Sequence, residues 1–140
     1  MKILLTGTTG YIGKRLLPLL LDLGHDVVCC VRDKERFPSA GRYADSRVEI
    51  LEIDFLDSNP LDAIPADIDA AYYLIHSMSA STSDFESLEA ASARNFVRLI
   101  DQTDCKQIMY LGGIVNNSEL SKHLQSRKNV ELVLRNSSAP

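Results

Sequence analysis

The stretch Lys2–Leu17, KILLTGTTGYIGKRLL, restricts the fold more than any other part of the chain. Gly7, Gly10 and Gly13 recur at every third residue between an apolar run and a segment whose apolar residues fall at helical spacing. Lys2–Thr6 reads as a strand. Ile12, Leu16, Leu19, Leu20 and Leu23 place an apolar stripe on a helix over Tyr11–Leu23. Gly24 stops that helix, and Pro18 inside it is expected to bend it. A glycine-rich turn from strand to helix aims unpaired backbone N–H groups beyond the strand's carboxyl end.

The alternation continues along the chain. Asp26–Val31, DVVCCV, is apolar almost without a break, the pattern of a strand covered on both faces of a parallel sheet. A short helix is expected over Arg32–Phe37, before Pro38. Further strands are expected at Arg47–Phe55, Asp69–Ile75 and Lys106–Leu111. Ser77–Ser83 reads as a loop. Ser83 and Glu86 form a capping box, and Phe85, Leu88, Phe96 and Leu99 mark the apolar face of the helix that follows. Ser92 falls on that face, small enough for close packing, with a hydroxyl that can bond back to a helix carbonyl. A last helix is expected over Ser118–Arg135, capped by Asn117 or Ser118. Together these predict an α/β fold: a doubly wound parallel sheet of about five strands with helices on both faces, in three α/β/α layers.

With 140 residues the chain is expected to form one domain, residues 1–140, with a true core. A net charge of −4 argues against a nucleic-acid or anionic-membrane surface, both of which want clustered Lys and Arg. No apolar run approaches the ~20 residues of a membrane span, and the N-terminus lacks a signal-peptide pattern. Three cysteines without a C-x-x-C pattern fit a reducing cytoplasm, the expected location. Cys29, Cys30 and Cys105 read as small core hydrophobes, with adjacent Cys29 and Cys30 pointing to opposite faces of their strand.

In a doubly wound sheet, the first strand-to-helix turn is where a pyrophosphate sits. A P-loop is excluded by spacing: Thr8 stands where its first glycine is needed, and Arg15 where its hydroxyl residue is needed. Thr6 stands where a receiver domain would carry an acidic phosphoacceptor. A dinucleotide is therefore the expected ligand; the other reading is a turn that needs glycines for geometry alone. The end of the second strand chooses the cofactor, since an acidic residue there holds a ribose 2′-hydroxyl and Arg accommodates a 2′-phosphate. Arg32 comes before Asp33, with Arg36 one helical turn on. This order favours NADP, with NAD as the alternative.

With TGTTGYIG at the start, Asp54 at the end of the third strand and YLGG at the fifth, the chain resembles the short-chain dehydrogenase/reductase superfamily. The G-x-x-G-x-x-G spacing is similar to its extended and atypical branches, which include nucleoside-diphosphate-sugar epimerases and NmrA-like proteins. The resemblance implies a Rossmann fold in which Gly7, Thr8, Thr9, Gly10, Tyr11, Ile12 and Gly13 surround the pyrophosphate. It implies that Arg32, supported by Arg36, meets the 2′-phosphate, and that Asp54 and Phe55 lie against the adenine. Leu74, Ile75 and His76 would line the path to the nicotinamide ribose, with Leu111 and Gly112 near the nicotinamide.

Members of this superfamily carry a Ser just after the fifth strand and a Tyr-x-x-x-Lys on the next helix. Here Gly112–Gly113 takes the first place, and no Tyr follows Tyr110. His123 and Arg127, at i and i+4, are the candidate catalytic pair. An imidazole changes charge near neutral pH, and Arg127 would repel the imidazolium and anchor a ribose hydroxyl. The alternative is that both are helix-surface groups. His76 stands at the carboxyl end of a strand, where ligands bind, although a loop-capping histidine is the plainer reading. The histidines have no companions at metal spacing, so no metal site is expected.

The resemblance also implies a sixth strand and a substrate-binding segment, both expected to be absent here. The open sheet edge would then favour a second copy or another partner. Two functions follow. One is the NADP-binding domain of an atypical reductase or epimerase-like oxidoreductase with little activity alone, acting on an unnamed small molecule. The other is a non-catalytic dinucleotide sensor or protein-interaction subunit in the manner of NmrA-like regulators.

Overall fold

Strand β1 (Lys2–Leu5) is flanked on one side by β2 (Asp26–Val31) and on the other by β4 (Ala70–Tyr73). Leu4 pairs with Val28 across one ladder and with Ala71 across the other. β3 (Val48–Glu52) lies outside β2, and β5 (Ile108–Tyr110) outside β4. All pairings are parallel, giving the order β3-β2-β1-β4-β5. This computed structural model describes residues 1–38, 40–57, 63–76, 85–113 and 121–139.

Strict alternation of side chains divides the core in two. Ile3, Leu5, Val27, Cys29 and Val31 face Leu17, Leu20 and Leu21 of helix α1 (Tyr11–Asp22). Leu4, Val28, Cys30, Leu51 and Tyr73 face the other way. They meet Phe96 and Ile100 of α2 (Phe85–Ile100) and Val130 and Leu134 of α3 (Lys122–Leu134). The result is the expected three-layer doubly wound sheet. Cys29 and Cys30 do fall on opposite faces, and burial pushes the Cys29 thiol up to about 12. Each large apolar side chain buried here contributes roughly 1.5–3 kcal/mol.

Helix α1 runs through Pro18 to Asp22, is capped by Leu23, and is followed by Gly24, whose φ is +81°. Gly24 N–H donates to Leu21 O (2.9 Å) and His25 N–H to Leu20 O (3.1 Å), a Schellman closure that needs a left-handed residue at Gly24. In place of the expected helix over Arg32–Phe37 the chain makes a 3-10 turn, Lys34–Arg36, with Asp33 accepting from Glu35 N–H at 3.0 Å, and a second 3-10 turn follows at Gly41–Ala44.

Several boundaries differ from expectation. β3, β4 and β5 are shorter than expected at both ends. Asp54 consequently lies two residues beyond β3. Of the expected α2 face, Phe96 is buried and Phe85, Leu88 and Leu99 only partly so; the buried stripe is Glu89, Ser92, Ala93, Phe96 and Ile100. It is rotated because Glu89 turns inward to accept from the Ser126 hydroxyl of α3. The partner seen for the Ser92 hydroxyl is Tyr73 on the sheet, whose O–H donates to it at 3.2 Å. α3 begins at Lys122, with Ser121 as its cap accepting from Leu124 N–H at 3.3 Å. Ser83, Asn117 and Ser118 lie outside the described residues. No helix among the described residues is long and apolar enough to cross a membrane.

Candidate functional site

The strand order reverses between β1 and β4, so their chain continuations diverge and leave a crevice at the carboxyl edge. Thr6 stands at the fork. Its hydroxyl donates to Tyr72 O at 3.0 Å and accepts from Leu74 N–H at 2.9 Å, tying the two halves of the sheet together where backbone pairing ends.

The glycine loop rises from this point. Gly7 has φ +63°, and a Cβ there would lie 2.6 Å from Leu74 O. Gly10 N–H donates to Gly7 O at 2.9 Å, and Gly10 caps α1 without bringing a side chain to accept from the first-turn N–H groups. A Cβ on Gly13 would lie 2.3 Å from Gly7 O and 2.7 Å from Thr8 Cα. The loop therefore crosses the first turn of α1 in backbone contact. Unpaired donors at a positive helix end suit an anion.

A cavity of about 590 Å³ opens beside this loop. Gly7, Thr9, Gly10, Tyr11, Ile12 and Gly13 line its middle; Arg32, Asp54 and Phe55 line one end; Leu74, Ile75, His76 and Leu111 line the other. The structure thus brings together residues spread over the chain from the first strand to the fifth.

Other expected site residues are placed differently. Thr8 is buried and its hydroxyl donates to Leu5 O at 2.8 Å, so it holds the loop and does not line the cavity. Arg36 points into solvent and pairs with Asp33 at 3.1 Å, away from the lining. Phe55 lines the cavity only in part, since its ring packs on Phe96 at 5.6 Å and its carbonyl accepts from Asn95 at 2.8 Å. One Asp54 carboxylate oxygen is already used by Leu56 N–H at 3.0 Å. Gly112 stands beside the Tyr110 ring, outside the lining.

The His123–Arg127 pair does not converge on the cavity. His123 is exposed, with its ring edge-on to Phe85 at 5.4 Å. Arg127 is half-buried, and its carbonyl accepts from the Tyr110 hydroxyl at 3.3 Å. Its charge is felt instead at His76. Burial lowers the His76 pKa from the ordinary imidazole value, Arg127 lowers it further, and Glu89 opposes them. Burial, with Glu89, pushes the Tyr110 phenol up to about 12.

Some lining residues were not among the expected site residues: Thr6, Cys30, Val31, Ile53, Leu56, Leu88 and Ser92. Thr6 carried a usable signal, as a polar residue closing an apolar strand. Ser92 carried one as a small polar residue on an otherwise apolar helix face.

Residues 3–114 match the model of the NAD dependent epimerase/dehydratase family. Ketoreductase adrE of Penicillium rubens is 32% identical over 98 residues, covering 66% of this chain and 28% of that protein. The Citrobacter sp. triphenylmethane reductase complexed with NADP(H) shares the fold at a TM-score of 0.75 and 22% identity, over 100% of this chain and 47% of that one. The Bordetella bronchiseptica enzyme WbmG in complex with NAD does so at 0.74 and 14% identity, over 100% and 51%. The chain therefore spans about half the length of these two structures, and less of the ketoreductase. The match along most of its length, on a doubly wound sheet with a G-x-x-G-x-x-G cradle at the switch point, identifies the chain as a member of the NAD dependent epimerase/dehydratase family.

Proposed function

We propose that the chain is the NADP-binding domain of an oxidoreductase that acts on a carbonyl or a secondary alcohol, with little activity by itself. The carrying observation is the pairing of a backbone cradle at Gly7–Gly13 with the exposed Arg32 at one end of the same cavity. A dinucleotide fits these residues. The first turn of α1 opens on the cavity with no capping side chain to compete with a pyrophosphate, a cation stands beyond the second strand, and Leu74, Ile75 and Leu111 offer apolar walls at the other end. That one similar structure holds NADP(H) and another NAD supports the class of cofactor.

The nicotinamide, when bound, supplies or accepts a hydride. The chain's own groups do the rest. First-turn N–H groups of α1 receive the pyrophosphate, and Arg32 pairs with the 2′-phosphate. The second Asp54 oxygen accepts from the adenine amino group. Leu74, Ile75 and Leu111 exclude water from the reacting end. Fluorescence titration with NADPH and NADH tests the reading: NADPH is expected to bind more tightly, and equal, negligible binding of both would overturn it.

A second reading is a dinucleotide sensor without turnover. It is favoured by Gly112–Gly113, which offers no hydroxyl after β5, and by a Tyr110 hydroxyl committed to Arg127 O. Reduction of any carbonyl substrate by the protein would eliminate it.

A further inference from the structure

We propose that His76 is the group that exchanges a proton with the substrate at the nicotinamide end of the cavity, and that Ser92 orients the substrate's oxygen. This rests on the reading as a nicotinamide-dependent oxidoreductase and deepens it.

Position comes first. His76 follows the carboxyl end of β4 and lines the cavity beside Leu74 and Ile75. Leu88 and Leu111 complete that end with apolar surface. Among the described lining residues there, His76 is the one side chain of a type that ordinarily changes charge near neutral pH. The other candidates are committed elsewhere. Tyr110 donates to Arg127 O, Tyr73 is buried with its hydroxyl on Ser92, and His123 is exposed against Phe85.

Ser92 supplies the second half. It is buried, lines the cavity, and accepts from Tyr73 at 3.2 Å. A hydroxyl that accepts one hydrogen bond still has its own proton and a further lone pair. Tyr73 thus fixes the Ser92 oxygen, and its proton can point to a substrate oxygen.

The charged and titratable groups facing His76 come from three elements: Arg127 on α3, Glu89 on α2 and, as a neutral phenol, Tyr110 on β5. Burial and Arg127 favour the neutral ring, against Glu89. A neutral imidazole takes a proton from an alcohol during oxidation. In reduction, the same environment makes the imidazolium a stronger acid. The carbonyl carbon then receives a hydride, with both electrons, from reduced nicotinamide. The carbonyl π pair moves to oxygen, and an imidazolium N–H bond breaks to deliver the proton there. The cofactor leaves oxidised, the substrate leaves as an alcohol, and solvent reprotonates the ring.

Two measurements on the full chain test this. The first is modification of histidines by diethyl pyrocarbonate, followed by mass spectrometry with and without NADPH. NADPH is expected to slow modification of His76 at least tenfold and leave His25 and His123 reacting as before. The pH midpoint of His76 modification is expected below about 6.5, rising in Arg127→Gln. The second measurement is NADPH oxidation with a panel of aldehydes and ketones. His76→Asn is expected to slow it by about a hundredfold or more while NADPH affinity stays within about threefold. Ser92→Ala is expected to raise KM and lower kcat together.

Normal NADPH binding without shielding of His76 overturns the proposal. So does unchanged turnover in His76→Asn, or a protein that binds NADPH and oxidises it with no member of the panel. Failure to bind NADPH at all overturns the underlying cofactor reading instead.

Discussion

The carbonyl oxygen of Gly7 lies 2.3 Å from the point where a side chain on Gly13 would begin. Both sides of that contact are backbone, so neither can yield cheaply. Gly13→Ala is expected to destabilise the fold by about 1–3 kcal/mol in denaturant unfolding and to weaken NADPH binding at least tenfold. Gly24→Ala is the control. Its φ of +81° carries a backbone cost of about 1–2 kcal/mol, but open space surrounds it, and NADPH affinity is expected to hold.

Arg32 is exposed and lines the cavity at the end of β2. Arg32→Asp exchanges a partner for a 2′-phosphate for one suited to a ribose 2′-hydroxyl. The proposed preference for NADPH over NADH is expected to reverse. A swing of about 1.4 kcal/mol per tenfold change is readable by titrating both cofactors against both proteins.

His76 links pH to stability. Its folded-state pKa is depressed below the ordinary 6.5, first by burial and then by Arg127. The fold therefore prefers the neutral ring, and the unfolded chain binds more protons in the window just below 6.5. The contribution is fully present above about pH 6.5 and is lost as pH falls through the lower folded value. Urea unfolding at several pH values from about 5 to 7.5 is expected to show this loss in the wild type and a flatter profile in His76→Asn.

Phe96 is fully buried between Tyr73, at 4.9 Å, and Phe55, at 5.6 Å. It supports from α2 the ring of Phe55, which lines the cavity. Phe96→Ala is expected to cost about 3–5 kcal/mol in thermal or denaturant unfolding, and Phe96→Leu distinctly less.

Much of this was legible in the sequence, for reasons that differ by element. DVVCCV fixes β2 to the residue, because a strand covered on both faces has no alternative way to hide its apolar run. The cradle was readable because three glycines at that spacing serve close backbone contact that other residues forbid. Strand ends were less legible. Ile53, Phe55, Leu74 and Ile75 are as apolar as their strands, yet they line a cavity or pack beside it. The catalytic pairing misled for a geometric reason: i and i+4 spacing puts His123 and Arg127 on one helix face but does not say what that face meets. The charge of Arg127 acts on His76, from a segment far away in sequence. Glu89 defeated the helix-face reading because a buried carboxylate needs a partner, here Ser126, that periodicity cannot show.

The two bonds of the Thr6 hydroxyl to the β4 segment act as a rivet at the root of the fork. With that joint closed, the mouth of the slot has a set gauge, and the central diphosphate of any dinucleotide meets the same aperture. On the proposed reading, discrimination among such ligands falls outward, to Arg32 at one tip and to His76 and its neighbours at the other. Specificity can then drift at the tips while the middle stays unchanged.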